Sequence, residues 1–216
     1  MIPVSEKISK VQAAIESDDG TGNTPEGHKL TSKHFSSPFP VDLVGISNKI
    51  SIMKQQHQHF DFILNTTYSL VTPTDDIYIK ITTINPQYII VNQTKMVMLT
   101  AQKGFQDKFV EVVPDDGRMP LRWTDPKSKQ RLLFKFAPES DGLGFDETVY
   151  EWSRKIKPYK IGRISIHCRN KHNDAESKHV KLIKQVHQKT QTTYLIFKIE
   201  DEKYPTYKID NQTKSI

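Results

Sequence analysis

Apolar and polar residues alternate with a period of two along much of this chain. Ile77-Ile79-Ile81, Met96-Met98, Leu132-Phe134-Phe136, Ile164-Ile166 and Leu195-Phe197-Ile199 each set apolar side chains on one side of an extended backbone. Shorter β-rich runs lie at 60–64, 88–92, 109–113 and 148–152. Turn-forming residues separate them: Pro114-Asp115-Asp116-Gly117, Asp125-Pro126, Asp141-Gly142-Leu143-Gly144 and Lys171-His172-Asn173-Asp174. Many short strands joined by polar turns predict an all-β chain of antiparallel β-sandwich type rather than a parallel α/β sheet.

The N-terminus departs from this pattern. Ile8, Val11 and Ile15, with Ala14 beside them and Ser5 in front, recur at helical spacing and predict a short helix over 6–16. Residues 17–34 hold too few apolar groups to pack and read as a flexible loop.

A longer periodicity overlies the strands. The segment Pro86-Gln-Tyr-Ile-Ile-Val-Asn-Gln-Thr-Lys-Met-Val97 returns as Pro205-Thr-Tyr-Lys-Ile-Asp-Asn-Gln-Thr-Lys-Ser-Ile216. Phe35-Ser36, Phe39, Val44 and Gly45 likewise match Trp152-Ser153, Ile156, Ile161 and Gly162, and Ile50-Ser51-Ile52 matches Ile164-Ser165-Ile166. Ordered matches at an offset of about 118 residues indicate duplication of a small β domain. The expected organisation is an N-terminal segment over 1–34, the C-terminal part of one repeat over 35–80, a complete repeat over 81–200 and the start of the next over 201–216. A chain that opens and closes inside repeats reads as a piece of a longer protein.

Composition narrows the class. Hydrophobic residues make up 36% and charged residues 26% of the chain, enough for a core and not for a membrane helix. The single Cys168 excludes an intrachain disulfide and, with no signal-peptide pattern over Met1–Lys7, predicts a non-secreted, cytoplasmic protein. No nucleophile elbow, phosphate loop or paired-carboxylate motif stands out, so no enzyme activity and no cofactor are predicted.

Four segments in order carry a resemblance: Tyr88-Ile-Ile-Val-Asn-Gln-Thr94, Leu99-Thr-Ala-Gln-Lys-Gly104, Pro120-Leu-Arg-Trp-Thr-Asp-Pro126 and Leu132-Leu-Phe134. Together they resemble the adaptor-binding repeats (also called the SHR-binding domain) of the vacuolar protein sorting-associated protein 13 family. The resemblance implies a hook-forming β-repeat module of a bridge-like lipid-transfer protein. Such a module docks on organelle adaptors, some presenting a Pro-x-Pro peptide, and so takes part in intermembrane lipid transport, targeting to the vacuole and membrane contact sites. Docking of that kind is expected at sheet edges, by strand addition. The lipid groove of such proteins has no counterpart in this sequence.

By motif, the resemblance extends to Asn92, its repeat counterpart Asn211, Trp123, Asp125 and Pro126. Each has two readings. Asn92 and Asn211 either pin a turn in each repeat through backbone bonds or touch an adaptor. Trp123 is either a core anchor or a binding residue, and Asp125-Pro126 form a turn. Pro38-Phe39-Pro40 spells the adaptor peptide itself but reads as an edge strand kept from pairing.

Charge supports a second class of function. The net charge of +6 is uneven: from Arg154 to Lys189, eleven Lys or Arg stand against Asp174 and Glu176. Arg154, Lys155, Lys157, Lys160 and Arg163 are candidate contacts for an anionic membrane surface, against the plainer reading of solvated strand faces. The alternatives to an adaptor-binding module are thus a basic peripheral module that touches membrane directly, or a stand-alone β-sandwich interaction protein. No nucleic-acid motif is present. Asn65-Thr-Thr67, Asn92-Gln-Thr94 and Asn211-Gln-Thr213 spell glycosylation sequons, which a non-secreted chain leaves unused. His57 and His59 lack the further ligands that a metal would need, and no metal is predicted.

Overall fold

The computed structural model describes residues 10–11, 14–23, 29–35, 38–40, 48–53, 61–74, 77–125, 127–138, 144 and 146–201. The chain divides into two compact units, one of Met1–Gln87, Leu121–Ser128 and His187–Thr192, the other of Tyr88–Pro120, Lys129–Val186 and Thr193–Ile216. The described residues are nearly all β, as the period-two alternation dictates.

The first unit carries β1 (Lys10–Val11), β2 (Ala14–Asn23), β3 (Lys29–Phe35), β4 (Phe39–Pro40), β5 (Asn48–Met53), β6 (Asp61–Thr74) and β7 (Ile77–Pro86). All its pairings are antiparallel: β1 with β4, β2 with β3, and β6 between β5 and β7. The expected helix over 6–16 is therefore corrected where residues are described, since Lys10–Val11 and Ala14–Asn23 are strands. A helix of so few turns is marginal alone, and the backbone bonds of β2 to β3, in register from Ala14↔Phe35 to Asp18↔Thr31, outweigh its 3.6-residue spacing. The same hairpin occupies most of the segment read as a flexible loop. Phe39 and Pro40, expected to resist pairing, lie opposite Val11 and Lys10 in a two-residue ladder.

The second unit is a sandwich. Its strands are β8 (Tyr88–Gln93), β9 (Met98–Gln102), β10 (Glu111–Val113), β11 (Arg118–Pro120), β12 (Leu132–Phe136), β13 (Gly162–Cys168), β14 (Lys178–Val186) and β15 (Thr193–Ile199). One sheet has the order β11-β8-β15-β14-β13 and the other β10-β9-β12. All neighbours are antiparallel except β15 and β8, which run parallel from Thr193↔Tyr88 to Lys198↔Gln93. The run at 148–152 forms no strand. Tyr150 makes an isolated bridge to Asn170 instead.

Alternation decides what lies between the sheets. Ile90, Leu195, Phe197, Leu182, Val180 and Ile166 face inward from the larger sheet, Met98, Phe134 and Phe136 from the smaller, and all are buried. Phe134 and Phe197 meet edge to face across the gap at 4.9 Å between ring centroids. The free edge of β12 is covered by the chain that follows it. Ile156 exchanges backbone hydrogen bonds with Leu132 at 2.8 and 3.1 Å, and the Ser153 amide donates to the Phe134 carbonyl at 2.8 Å.

Candidate functional site

Asn92, the last residue but one of β8, is a fully buried polar residue. Its amide nitrogen donates to the carbonyls of Met96 (2.8 Å), Pro114 (2.9 Å) and Val113 (3.1 Å). An amide has two N–H bonds, so the three carbonyls share them. Its oxygen accepts from the Thr94 hydroxyl at 2.6 Å and the Thr94 amide at 3.2 Å. One side chain thereby ties the turn after β8, where Lys95 takes φ 60°, to the turn between β10 and β11. In that second turn Asp116 takes φ 51°, and a β-carbon on Gly117 would meet the Pro114 carbonyl at 2.7 Å. The Asn-x-Thr spelling is thus a local hydrogen-bonded turn whose amide nitrogen is already engaged.

Trp123, also fully buried, belongs to the other unit. Two residues on, Asp125 accepts from the Ser128 hydroxyl at 2.5 Å and the Lys127 amide at 2.9 Å. Those bonds, the Ser128 hydroxyl foremost, hold its carboxyl below the usual carboxylate range. Pro126 and Asn211 lie outside the described residues, as do His57 and His59.

The family model described as the vacuolar-sorting associated protein 13 adaptor binding domain matches residues 5–216. The chain belongs to that family. No curated protein matches it. The chain is accordingly an adaptor-binding module, and the match takes in the segment up to residue 34, where the sequence motifs show no resemblance.

Within this adaptor-binding domain the candidate residues fall into separate places. Asn92 and Trp123 are wholly internal, so neither offers surface to a partner in the folded state. Arg154, Lys155, Lys160 and Arg163 are exposed and Lys157 is half-buried. Arg154 reaches the edge of β13, where its guanidinium donates to the Ser165 carbonyl at 2.9 Å. The charge of Lys160 instead bears on Lys184, a buried residue of β14.

Two residues with structural weight escaped the sequence reading. Asn170 repeats the device of Asn92: it is buried, and its oxygen accepts from the amides of His172 (2.8 Å) and Asn173 (3.0 Å). The Asn-rich turn at 170–173 was its signal. Lys184 falls in the inward row of Val180 and Leu182, and a lysine there breaks the apolar alternation, so no local signal marked it.

Neither titratable cluster of the larger sheet makes a reactive centre. His167 and His179 face each other across β13 and β14, with ring nitrogens 3.3 Å apart on the exposed face. No group of three or more metal-ligating side chains occurs among the described residues. Cys168, one residue further on, points into the sandwich at 1% exposure. Burial pushes its thiol up to about 12, where the thiolate is scarce at neutral pH. Iodoacetamide at mildly alkaline pH should therefore leave the native chain unmodified and label it once denatured, as mass spectrometry would show. The sign follows from the raised value. The neutral thiol is favoured in the fold, and the stability it contributes is intact below the unfolded thiol value and lost as pH rises from there toward 12.

Proposed function

We propose that this chain is a non-catalytic, cytoplasmic docking module that helps target a bridge-like lipid-transfer protein to organelle membranes and contact sites, the vacuole among them. It acts together with further repeats of its parent chain. Its ligand is an extended adaptor peptide, of Pro-x-Pro type, added as a strand to a sheet edge.

The observation that carries this reading is the contrast among the edges of the sandwich. Native sheets blunt their edges with charge, proline or covering chain. β13 is blunted by Arg163 and by Arg154 on the Ser165 carbonyl, β11 by Arg118 and Pro120, and β12 by the 153–156 segment. β10, three residues long and paired on one side with β9, carries Glu111 but also exposes apolar side chains, with Val112 48% exposed and Val110 beside it. An edge with apolar neighbours suits a peptide that has few backbone donors and bulky proline rings.

Titrating the chain with a fluorescent Pro-x-Pro peptide and following anisotropy tests this. Val112→Lys should weaken binding about tenfold or more, because a charge at an edge opposes strand addition. An exposed position should leave the melting temperature unchanged. Equal affinity of the variant and the natural chain would rule β10 out as the docking edge.

A further inference from the structure

The register of the larger sheet puts a lysine where the core should continue. On β14 the inward positions are Val180, Leu182 and Lys184, opposite Ile166, Ile164 and Gly162 of β13 and beside Ile199, Phe197 and Leu195 of β15. Val180 and Leu182 are fully buried, and Lys184 is only 5% exposed. A charge in such a place is costly unless a counter-charge meets it.

No carboxylate pairs with Lys184 among the described residues. Burial, and then the like charge of Lys160, hold its ammonium below the usual lysine range. Gly162, opposite in register, takes φ 122°, and a β-carbon there would meet nothing within 4 Å. Gly162 is itself exposed, so the surface in front of this end of β13 is open, with Lys184 buried behind it.

The chain that leads into β13 completes the picture. Residues 154–163 hold five basic side chains and no acidic one. Within them the Lys160 amide donates to the Lys157 carbonyl at 3.2 Å, closing a turn. Tyr159 at 49% and Ile161 at 57% exposure project from it. The Arg131 guanidinium lies 5.5 Å from the Tyr159 ring centre. Exposed apolar groups among cations are poorly placed in water alone. They suit an anionic bilayer, where tyrosine sits at headgroup level and each basic residue is attracted to the surface.

We propose that residues 154–163, with Arg131 and Lys184 behind them, form a contact site for an anionic phospholipid bilayer. Lipid phosphates neutralise the exposed Lys160 and Arg163, and their field offsets the charge of Lys184 behind, while Tyr159 and Ile161 enter the headgroup layer. The exposed apolar pair favours a bilayer over a free anion, which would gain nothing from it. This site does not depend on the adaptor edge, and neutral peptide binding can fail or succeed independently of it.

Sedimentation of the full chain with phosphatidylcholine vesicles, with and without phosphatidylserine, at low and high salt, tests the proposal. Binding should require phosphatidylserine and fall as salt rises. Lys160→Glu with Arg163→Glu should weaken it about thirtyfold or more, from the attraction of each basic residue. Lys103→Glu with Lys108→Glu, exposed on another loop, is the charge-matched control. Tyr159→Ser with Ile161→Ser should weaken binding about tenfold with the charge intact. Lys184→Met should lower vesicle binding yet raise the melting temperature of the free chain, because it removes an unpaired buried charge.

The proposal fails if the control reversal costs as much as the reversal at 160 and 163, or if the serine variant binds like the natural chain. It fails equally if Lys184→Met lowers the melting temperature. Displacement of the chain from vesicles by inorganic phosphate at constant ionic strength would assign these lysines to a free anion and overturn it too.

Discussion

Asn92→Ala should cost the chain about 3 kcal/mol and lower its melting temperature by roughly 10 °C, more than any surface substitution would. The carbonyls of Met96, Val113 and Pro114 all accept from this one amide. Alanine removes all three bonds at a buried position, and the Thr94 hydroxyl loses its shorter acceptor, keeping the Met96 carbonyl at 3.3 Å. Asn92→Asp should be worse at neutral pH. Its second oxygen would face three carbonyl oxygens, so repulsion is added to the lost bonds. Acidification should partly rescue the aspartate variant, because a protonated carboxyl regains one donor, and a pH series of thermal melts distinguishes the two variants. Unchanged stability in Asn92→Ala, coupled to lost peptide binding, would show that this residue serves the adaptor rather than the turns.

Phe134→Ala should cost about 3–5 kcal/mol and appear as a lower denaturant midpoint at an unchanged slope. Phe134 is fully buried at the centre of the sandwich. It meets Phe197 of the facing sheet at 66° between ring planes and Phe136 of its own strand at 5.9 Å and 74°. Alanine removes both edge-to-face contacts and leaves a cavity that two rigid sheets cannot close. Phe134→Leu fills most of that space and should recover more than half of the loss. A slope that fell together with the midpoint would indicate a loosened native state instead.

The adaptor-binding domain was legible where a strand obeys a simple period. Leu132-Phe134-Phe136, Ile164-Ile166 and Leu195-Phe197 show their inward face in sequence because an apolar residue recurs at every second position. The 114–117 turn was legible for a similar reason, since Pro, Asp and Gly each restrict or release the backbone locally. β14 was not legible. Its inward row runs Val180-Leu182-Lys184, and the lysine breaks the pattern that would mark a strand. The N-terminal strands escaped for a different reason. Val11 and Ile15 carry helical spacing, and the β3 and β4 residues that pair with their strands lie outside the window in which that spacing is read.

Sequence alone determined the β class of this chain, the turn at 114–117 and, through Asn92, Trp123 and their neighbours, the family to which it belongs. All of these depend on residues near one another in the chain. Only the tertiary structure decided which role those residues can fill. Asn92 is saturated by carbonyls from two separate turns, and burial removes Trp123 from any surface. It also brought the charge of Lys160 to bear on Lys184 and left Val112 exposed at the β10 edge. Burial and the meeting of charges depend on which strands pair across the sheet, and a period of two does not specify that pairing.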